Sequence, residues 1–174
     1  MVGDRLVVGL VLSCLLLVAV SSSSLAARLE DEEDDAPART SVEVSYQAGV
    51  RAHENEDWNA VIDHLSEVIS ADPKYDDAYS LLGFAHRKLG DYDRSLDLYN
   101  KALQLNPWHR GALEYLGEAY LELDQPDRAE ALLDRLGDAC RRALGKEAVL
   151  QTDCEEWADL AAAFEAYRVE NGTE

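Results

Sequence analysis

Positive charge is what this chain has least of. Its 174 residues carry 16 lysines and arginines against 35 aspartates and glutamates, a formal charge of −19. A nucleic-acid or anionic-membrane binder needs a basic patch, so the balance argues against both as partners. The motifs of catalysis are missing as well. No H-E-x-x-H occurs, and His53, His64, His86 and His109 do not pair at metal-ligand spacing, so each reads as a surface or packing residue. No G-x-S-x-G, glycine-rich phosphate loop or D-x-D-x-D-G calcium loop is present. The carboxylates are spread over helix surfaces, so no acid/base pair stands out. The chain is therefore read as non-enzymatic, with no cofactor and no metal. Aromatic residues make up 7% and apolar residues 47%, which is sufficient for a folded core and unlike a disordered chain.

Long hydrophobic runs are also scarce: after the N-terminus there is none. Arg5 ends a short polar start, Leu6 to Val20 is almost unbroken apolar sequence, and Ser21 to Ala27 is small and polar. This is the pattern of a secretory leader, residues 1–26, cut after Ala26. The rival is a retained membrane anchor, but a run of about 15 residues is short where a bilayer needs about 20. A lipoprotein site at Cys14 fits poorly, because the apolar run continues beyond it. With no later hydrophobic span, the mature chain has no membrane span. The leader points to an exported protein of the bacterial periplasm, or alternatively of a secretory lumen or the extracellular space. Residues 27–41 read as an acidic, disordered linker. Glu30 to Asp35 are six acids in succession, and like charges at that density repel one another. As a spacer the segment is solvated; as an arm it would attract a basic partner or loosely hold divalent cations.

The remainder is periodic. Residues 76–107 hold two helical patterns facing each other across Gly90-Asp91-Tyr92. The first carries Tyr79, Leu82, Gly83 and His86, the second Ser95, Leu96, Tyr99, Ala102 and Leu103, both at a period near 3.6. Gly83, Ser95 and Ala102 are small where the helices must approach. Asp91 is placed to cap the second helix, and Pro107 to stop it. Stepping back about 34 residues takes Pro107 to Pro73, Gly83 to Gly49, Asp91 to Asp57, Tyr92 to Trp58 and Tyr99 to Leu65. Stepping forward takes Leu82-Gly83 to Leu116-Gly117 and Ser95 to Ala129. Glu56 replaces the turn glycine of the first repeat, which predicts a slightly different turn there.

These residues resemble the tetratricopeptide repeat, a helix–turn–helix unit. Leu82-Gly83, Gly90-Asp91-Tyr92, Tyr99, Ala102 and Pro107 carry the match, with mild departures at His86 and Ser95. The resemblance implies an all-α, right-handed solenoid of three repeats, residues 42–75, 76–109 and 110–144, followed by a capping helix. Pro126 suits the first turn of the last repeat helix, which has no stop before Gly145. Residues 145–152 read as a loop. Asp153 and Glu156 form a capping-box pattern for a final helix over 153–168, with a fraying tail at 169–174. Asn171-Gly172-Thr173 has glycosylation spacing, which matters only in a eukaryotic secretory host.

Only Cys140 and Cys154 remain once the leader is gone, both on apolar faces that ought to meet. An even count in an exported chain points to a disulfide. Two buried free thiols are the alternative, and the spacing is too long for a redox Cys-x-x-Cys pair. The resemblance further implies that the first helices line a concave, peptide-binding face. Helical phase places Tyr46, Val50 and His53, then Ser80, Phe84 and Arg87, then Glu114, Glu118 and Leu121 on it. Glu114 and Glu118 stand where family members that clamp a terminal carboxylate have cations, so no carboxylate clamp is expected. With Glu122 they form a row of acids suited to steering a basic segment. The competing view is that Tyr46 and Phe84 merely pack between helices. The reading that results is a protein-interaction adaptor or assembly factor with an unidentified protein partner. The rival is a redox or metal-handling accessory protein using Cys140, Cys154 and the acidic arm.

Overall fold

The computed structural model describes residues 36–172, with side chains from Ser41 onward. The predicted leader and the acid run Glu30 to Asp35 lie outside the described residues. From Val42 onward the chain forms one compact unit. The described residues are helical throughout, with no strand: α1 Ala36–Glu54, α2 Trp58–Ala71, α3 Asp76–Lys88, α4 Tyr92–Leu105, α5 Arg110–Glu122, α6 Pro126–Leu144, α7 Leu150–Asp153 and α8 Glu155–Asn171. The first six pair into three helix–turn–helix units.

Local chemistry sets the ends. Asp57 accepts a hydrogen bond from the Ala60 amide at the start of α2, and Asp91 accepts one from Arg94 at the start of α4. Pro126 opens α6, where its missing N–H costs nothing. The hairpin turns share one backbone device. Glu56, Gly90 and Asp124 all have positive φ, at 56°, 80° and 57°. Each turn closes with the same two bonds: Glu56 N–H to His53 and Asp57 N–H to Ala52, then Gly90 to Arg87 and Asp91 to His86, then Asp124 to Leu121 and Gln125 to Tyr120. The expected difference at Glu56 is therefore absent. The repeat geometry imposes the left-handed conformation there, and a glutamate adopts it at some cost.

The close approaches fall where the small residues stand. A side chain on Gly83 would meet the Tyr99 ring at 2.7 Å, and one on Gly49 would run into Leu65. In the third repeat the neighbour changes. Gly117 is filled not by residue 133 of its own hairpin but by Leu160 of α8, 2.6 Å from where a Cβ would stand. The core runs in two clusters. Val61, Leu65, Val68, Ala78, Leu82 and Ala85 lead the first, and Tyr99, Leu113, Leu116, Leu136 and Leu160 the second. Tyr79 packs against both.

The C-terminal third departs from expectation in detail. α6 ends at Leu144 with Gly145 at φ 105° as its cap, as the sequence predicts. The predicted loop contains a helical turn, α7. Asp153 accepts from the Val149 amide at 2.7 Å, so its carboxylate is spent on α7 and does not cap α8. Glu156 pairs with Arg110 at 3.3 Å instead of completing a capping box. α8 starts after Cys154 and runs through the expected tail to Asn171, because Gly172 supplies a left-handed cap only there. At the other end, α1 begins at Ala36 within the segment expected to be unstructured. Pro37 suits a helix's first turn, and the acids cease just before it.

Candidate functional site

The first helices of the repeats pack on one another: α3 lies against α5, whereas the backbones of α4 and α6 stand farther apart. The inner face therefore belongs to α1, α3 and α5, and α8 packs on α5 and α6.

A row of aromatic rings crosses this face. His53 of α1 lies 4.8 Å from Phe84 of α3, which lies 4.8 Å from Tyr115 of α5. Trp58 abuts both His53 and Phe84, at 5.7 and 5.6 Å. Tyr46 and Tyr75 form a separate pair at 4.7 Å, with Tyr46 two turns before His53 on α1. All six are half-buried, as is Val50. Burial lowers the pKa of His53, outweighing Glu54, so the ring is neutral and joins the row as an aromatic surface. Burial, with Asp77 and other nearby groups, pushes Tyr46 up to about 12.

The row was only half legible. Helical phase placed Tyr46, His53 and Phe84 on this face, and the repeat step reached Trp58 only as the counterpart of Tyr92 at the turn; Tyr115 and Tyr75 were not among the expected groove residues. The positions 53, 84 and 115 fall three residues short of the repeat length at each step. Three residues are slightly less than a helical turn, so the row runs diagonally across neighbouring helices.

The other expected groove residues are placed differently. Arg87 is 6% exposed and donates to Glu118 at 2.6 Å and to Glu122 at 3.1 Å, tying α3 to α5. Its guanidinium also lies 5.0 Å from the centre of the Phe84 ring, and Lys88 lies 5.7 Å from it. Two acids of the row Glu114, Glu118 and Glu122 are thus neutralised within the chain. Glu114, the third, is 8% exposed. Its pKa is pushed up to about 8, chiefly by burial, with Glu118, Asp159 and Glu156 adding to the shift and Arg87 opposing it. Near neutrality it holds a proton and contributes little charge. Ser80 and Leu121 are buried, at 2% and 7% exposure. Ser80, Arg87, Glu114 and Leu121 therefore do not form an open lining, whereas Tyr46, Val50, Phe84 and Glu118 remain accessible.

α8 accounts for much of this burial. It presses Leu160 onto Gly117 and leaves a cleft of about 420 Å3 where its second half faces the ends of α3 and α5, bounded by Arg87, Lys88, Leu121, Ala163, Tyr167 and Glu170. Tyr167 donates from its hydroxyl to Asp124, holding the far end of α8 against the third hairpin turn. At the near end, Cys140 and Cys154 are both buried, with Cα atoms 6.1 Å apart, within the range of a disulfide.

Glu156 brings a third donor to the cysteines: ligand atoms of Cys140, Cys154 and Glu156 lie within 4.8 Å of one another. They would suit a metal only with both thiols free and Glu156 released from Arg110. His109 serves the fold: its Nδ1 accepts from the Ala112 amide and caps α5, while Nε2 faces Asp77 at 3.0 Å. His86 contacts Asp91 at 3.2 Å. No described helix is long and apolar enough to cross a membrane.

Comparison with known proteins places the array. Tetratricopeptide repeat family models match residues 46–107 and 86–142, together more than half the chain. The photosystem I assembly protein Ycf3 of Rippkaea orientalis (strain PCC 8801 / RF-1) is 24% identical over 132 residues, covering 70% of this chain and 76% of that protein. The TPR2B domain of yeast Sti1, solved as a complex with pHsp70, superposes with a TM-score of 0.63 at 19% identity, covering 74% of this chain and 99% of that chain. PcrH, solved with the chaperone-binding region of PopD, superposes with a TM-score of 0.63 at 17% identity, covering 76% of this chain and 95% of PcrH. The paired helices, the recurrent left-handed turns and the sequence matches agree, and this chain belongs to the tetratricopeptide repeat family.

Proposed function

We propose that this protein is a non-enzymatic interaction adaptor or assembly factor that seats a segment of a partner protein along the inner face of α1 and α3. The observation that carries this is the partly exposed ring row His53, Trp58 and Phe84, with Tyr46 also partly exposed on α1. Aromatic surface left accessible across two repeats, with Val50 beside it, is the type of surface that anchors binding. Solved structures of this fold include complexes with pHsp70 and with the chaperone-binding region of PopD, and Ycf3 is a photosystem I assembly protein, which supports the class of role. The groove is short, because α8 fills the inner face of the third repeat.

A basic segment remains the favoured ligand, for a changed reason. The acid row is largely spent on Arg87 and on burial, so attraction comes from the chain's overall charge of −19. That field acts at long range and speeds encounter more than it holds the complex. Export, with the periplasm first among compartments, remains part of the proposal. The apolar run Leu6 to Val20 supports it, as does the adjacency of Cys140 and Cys154, which an oxidising compartment would bond.

A photoreactive amino acid at Val50, in the full chain expressed in its native host, tests the groove. The expected result is one major adduct, lost when Phe84→Ala is added and absent when the photoreactive residue stands at exposed Asp63 of α2. Equal capture from both positions would refute inner-face binding.

A further inference from the structure

The backbones of the second helices stand apart from one another, so a groove opens between α4 and α6 on the side opposite the ring row. It holds about 590 Å3, and its floor is Leu103, Leu116 and Leu132, each nearly buried from its own repeat. Its walls are polar: Asn100 and Gln104 on α4, Arg128 and Arg135 on α6. No carboxylate lines it, in a chain where acids outnumber bases two to one.

The two arginines are held ready. Arg135 donates to the Pro107 carbonyl at 2.6 Å, and the Arg128 guanidinium lies 5.1 Å from the centre of the Tyr120 ring. Neither forms an ion pair among the described residues, whereas Arg87, Arg110, Arg141 and Arg168 all do. A carbonyl and a ring face fix a guanidinium without neutralising it, so its charge stays available to an incoming anion.

We propose that this outer groove is a second interaction surface, which takes an acidic, extended segment of a partner protein with an apolar side chain between two carboxylates. Spacing fixes the pattern. Arg128 and Arg135 are seven residues apart on one helix, about 10 Å along its axis. An extended polyproline-II segment repeats its face every three residues at about 3.1 Å each, so acids three apart present carboxylates about 9 Å apart. The intervening apolar side chain descends to Leu103, Leu116 and Leu132, and its own removal from water supplies affinity that charge alone does not. The surface is independent of the inner face, so one adaptor would join two partners of opposite charge.

The test uses the full chain and a fluorescein-labelled peptide, Gly-Glu-Leu-Pro-Glu-Gly, in which proline biases the preceding leucine to extended backbone. Fluorescence polarisation should show saturable binding that weakens at least tenfold in the Arg128→Gln, Arg135→Gln double variant. Ala131→Trp keeps both charges and fills the groove, and should weaken binding as much. Circular dichroism confirms that each variant is folded. A peptide with serine for leucine should bind at least fivefold more weakly. The proposal is overturned by no saturation up to millimolar peptide, by binding indifferent to Ala131→Trp, or by equal binding of the serine peptide. Tripolyphosphate that competes as well as the leucine peptide would make the groove a general polyanion site and overturn the peptide reading.

Discussion

Glu114 lies beneath α8 with three other carboxylates nearby, and this arrangement should make the docking of α8 sensitive to pH. Its folded pKa of about 8 exceeds the ordinary 4.5. Between those values the folded chain keeps a proton that the unfolded chain has lost. Stability contributed through this group is therefore fully present below about pH 4.5 and falls as pH rises toward 8. A shift of that size corresponds to a ceiling of roughly 5 kcal/mol at 1.36 kcal/mol per unit. Glu118 and Glu156 remain a quarter exposed, at 24% and 25%, so water screens their repulsion. A loss on the order of 2 kcal/mol is the realistic figure. Glu114→Gln removes the titration while keeping size and polarity. Urea unfolding followed by far-ultraviolet circular dichroism at pH 5, 6.5 and 8 reads the difference. The wild type should lose more stability across that range than the glutamine variant, by about 2 kcal/mol. Hydrogen exchange in residues 155–171 should accelerate with pH beyond its intrinsic rate in the wild type alone. Identical pH slopes for the two chains would refute the reasoning, and would mean that water reaches Glu114 freely.

Replacing Cys140 and Cys154 together by serine should cost about 2–4 kcal/mol, with hydrogen exchange rising first in α7 and α8; free thiols in protein isolated from an oxidising compartment would sink the disulfide. Glu56→Gly should stabilise the chain by about 0.5–1 kcal/mol, because the left-handed turn no longer opposes a side chain; a lower melting temperature would show that the glutamate makes a compensating contact.

The repeat itself was legible because its constraints are local and recur. Asp57 and Asp91 cap helices where a capping aspartate stands in the sequence, and Gly49 and Gly83 stand where backbones meet side chains. The turn at Glu56 was misjudged for an instructive reason. Residue type suggested a change, but the flanking helices fix the backbone and the residue complies. The inner face was less legible because burial there is decided by α8, and nothing within a repeat announces what lands on it. Glu114 was read as a charged groove residue, and only the seating of Leu160 on Gly117 shows it to be covered. The Arg87 bridges were missed because they join α3 to α5 across about thirty residues, far beyond helical spacing.

The seat taken by Leu160 bears on how such an array can grow. A tandem array lengthens when a repeat is duplicated, and each new hairpin must find an unoccupied edge to pack on. Here the edge after α6 is already closed by α8. Cys140 adjoins its start, and Tyr167 bonds back to Asp124 near its end. A duplicate inserted between α6 and α7 would have to reproduce Gly117, Gly137 and Cys140 at its own end, or leave α8 without a berth. A duplicate of the second repeat inserts between interfaces that repeat already, from α2 to α3 and from α4 to α5, and α8 keeps its place. Longer descendants of this chain should therefore carry extra copies of residues 76–109, with the third repeat and its helix preserved as an inherited end-piece.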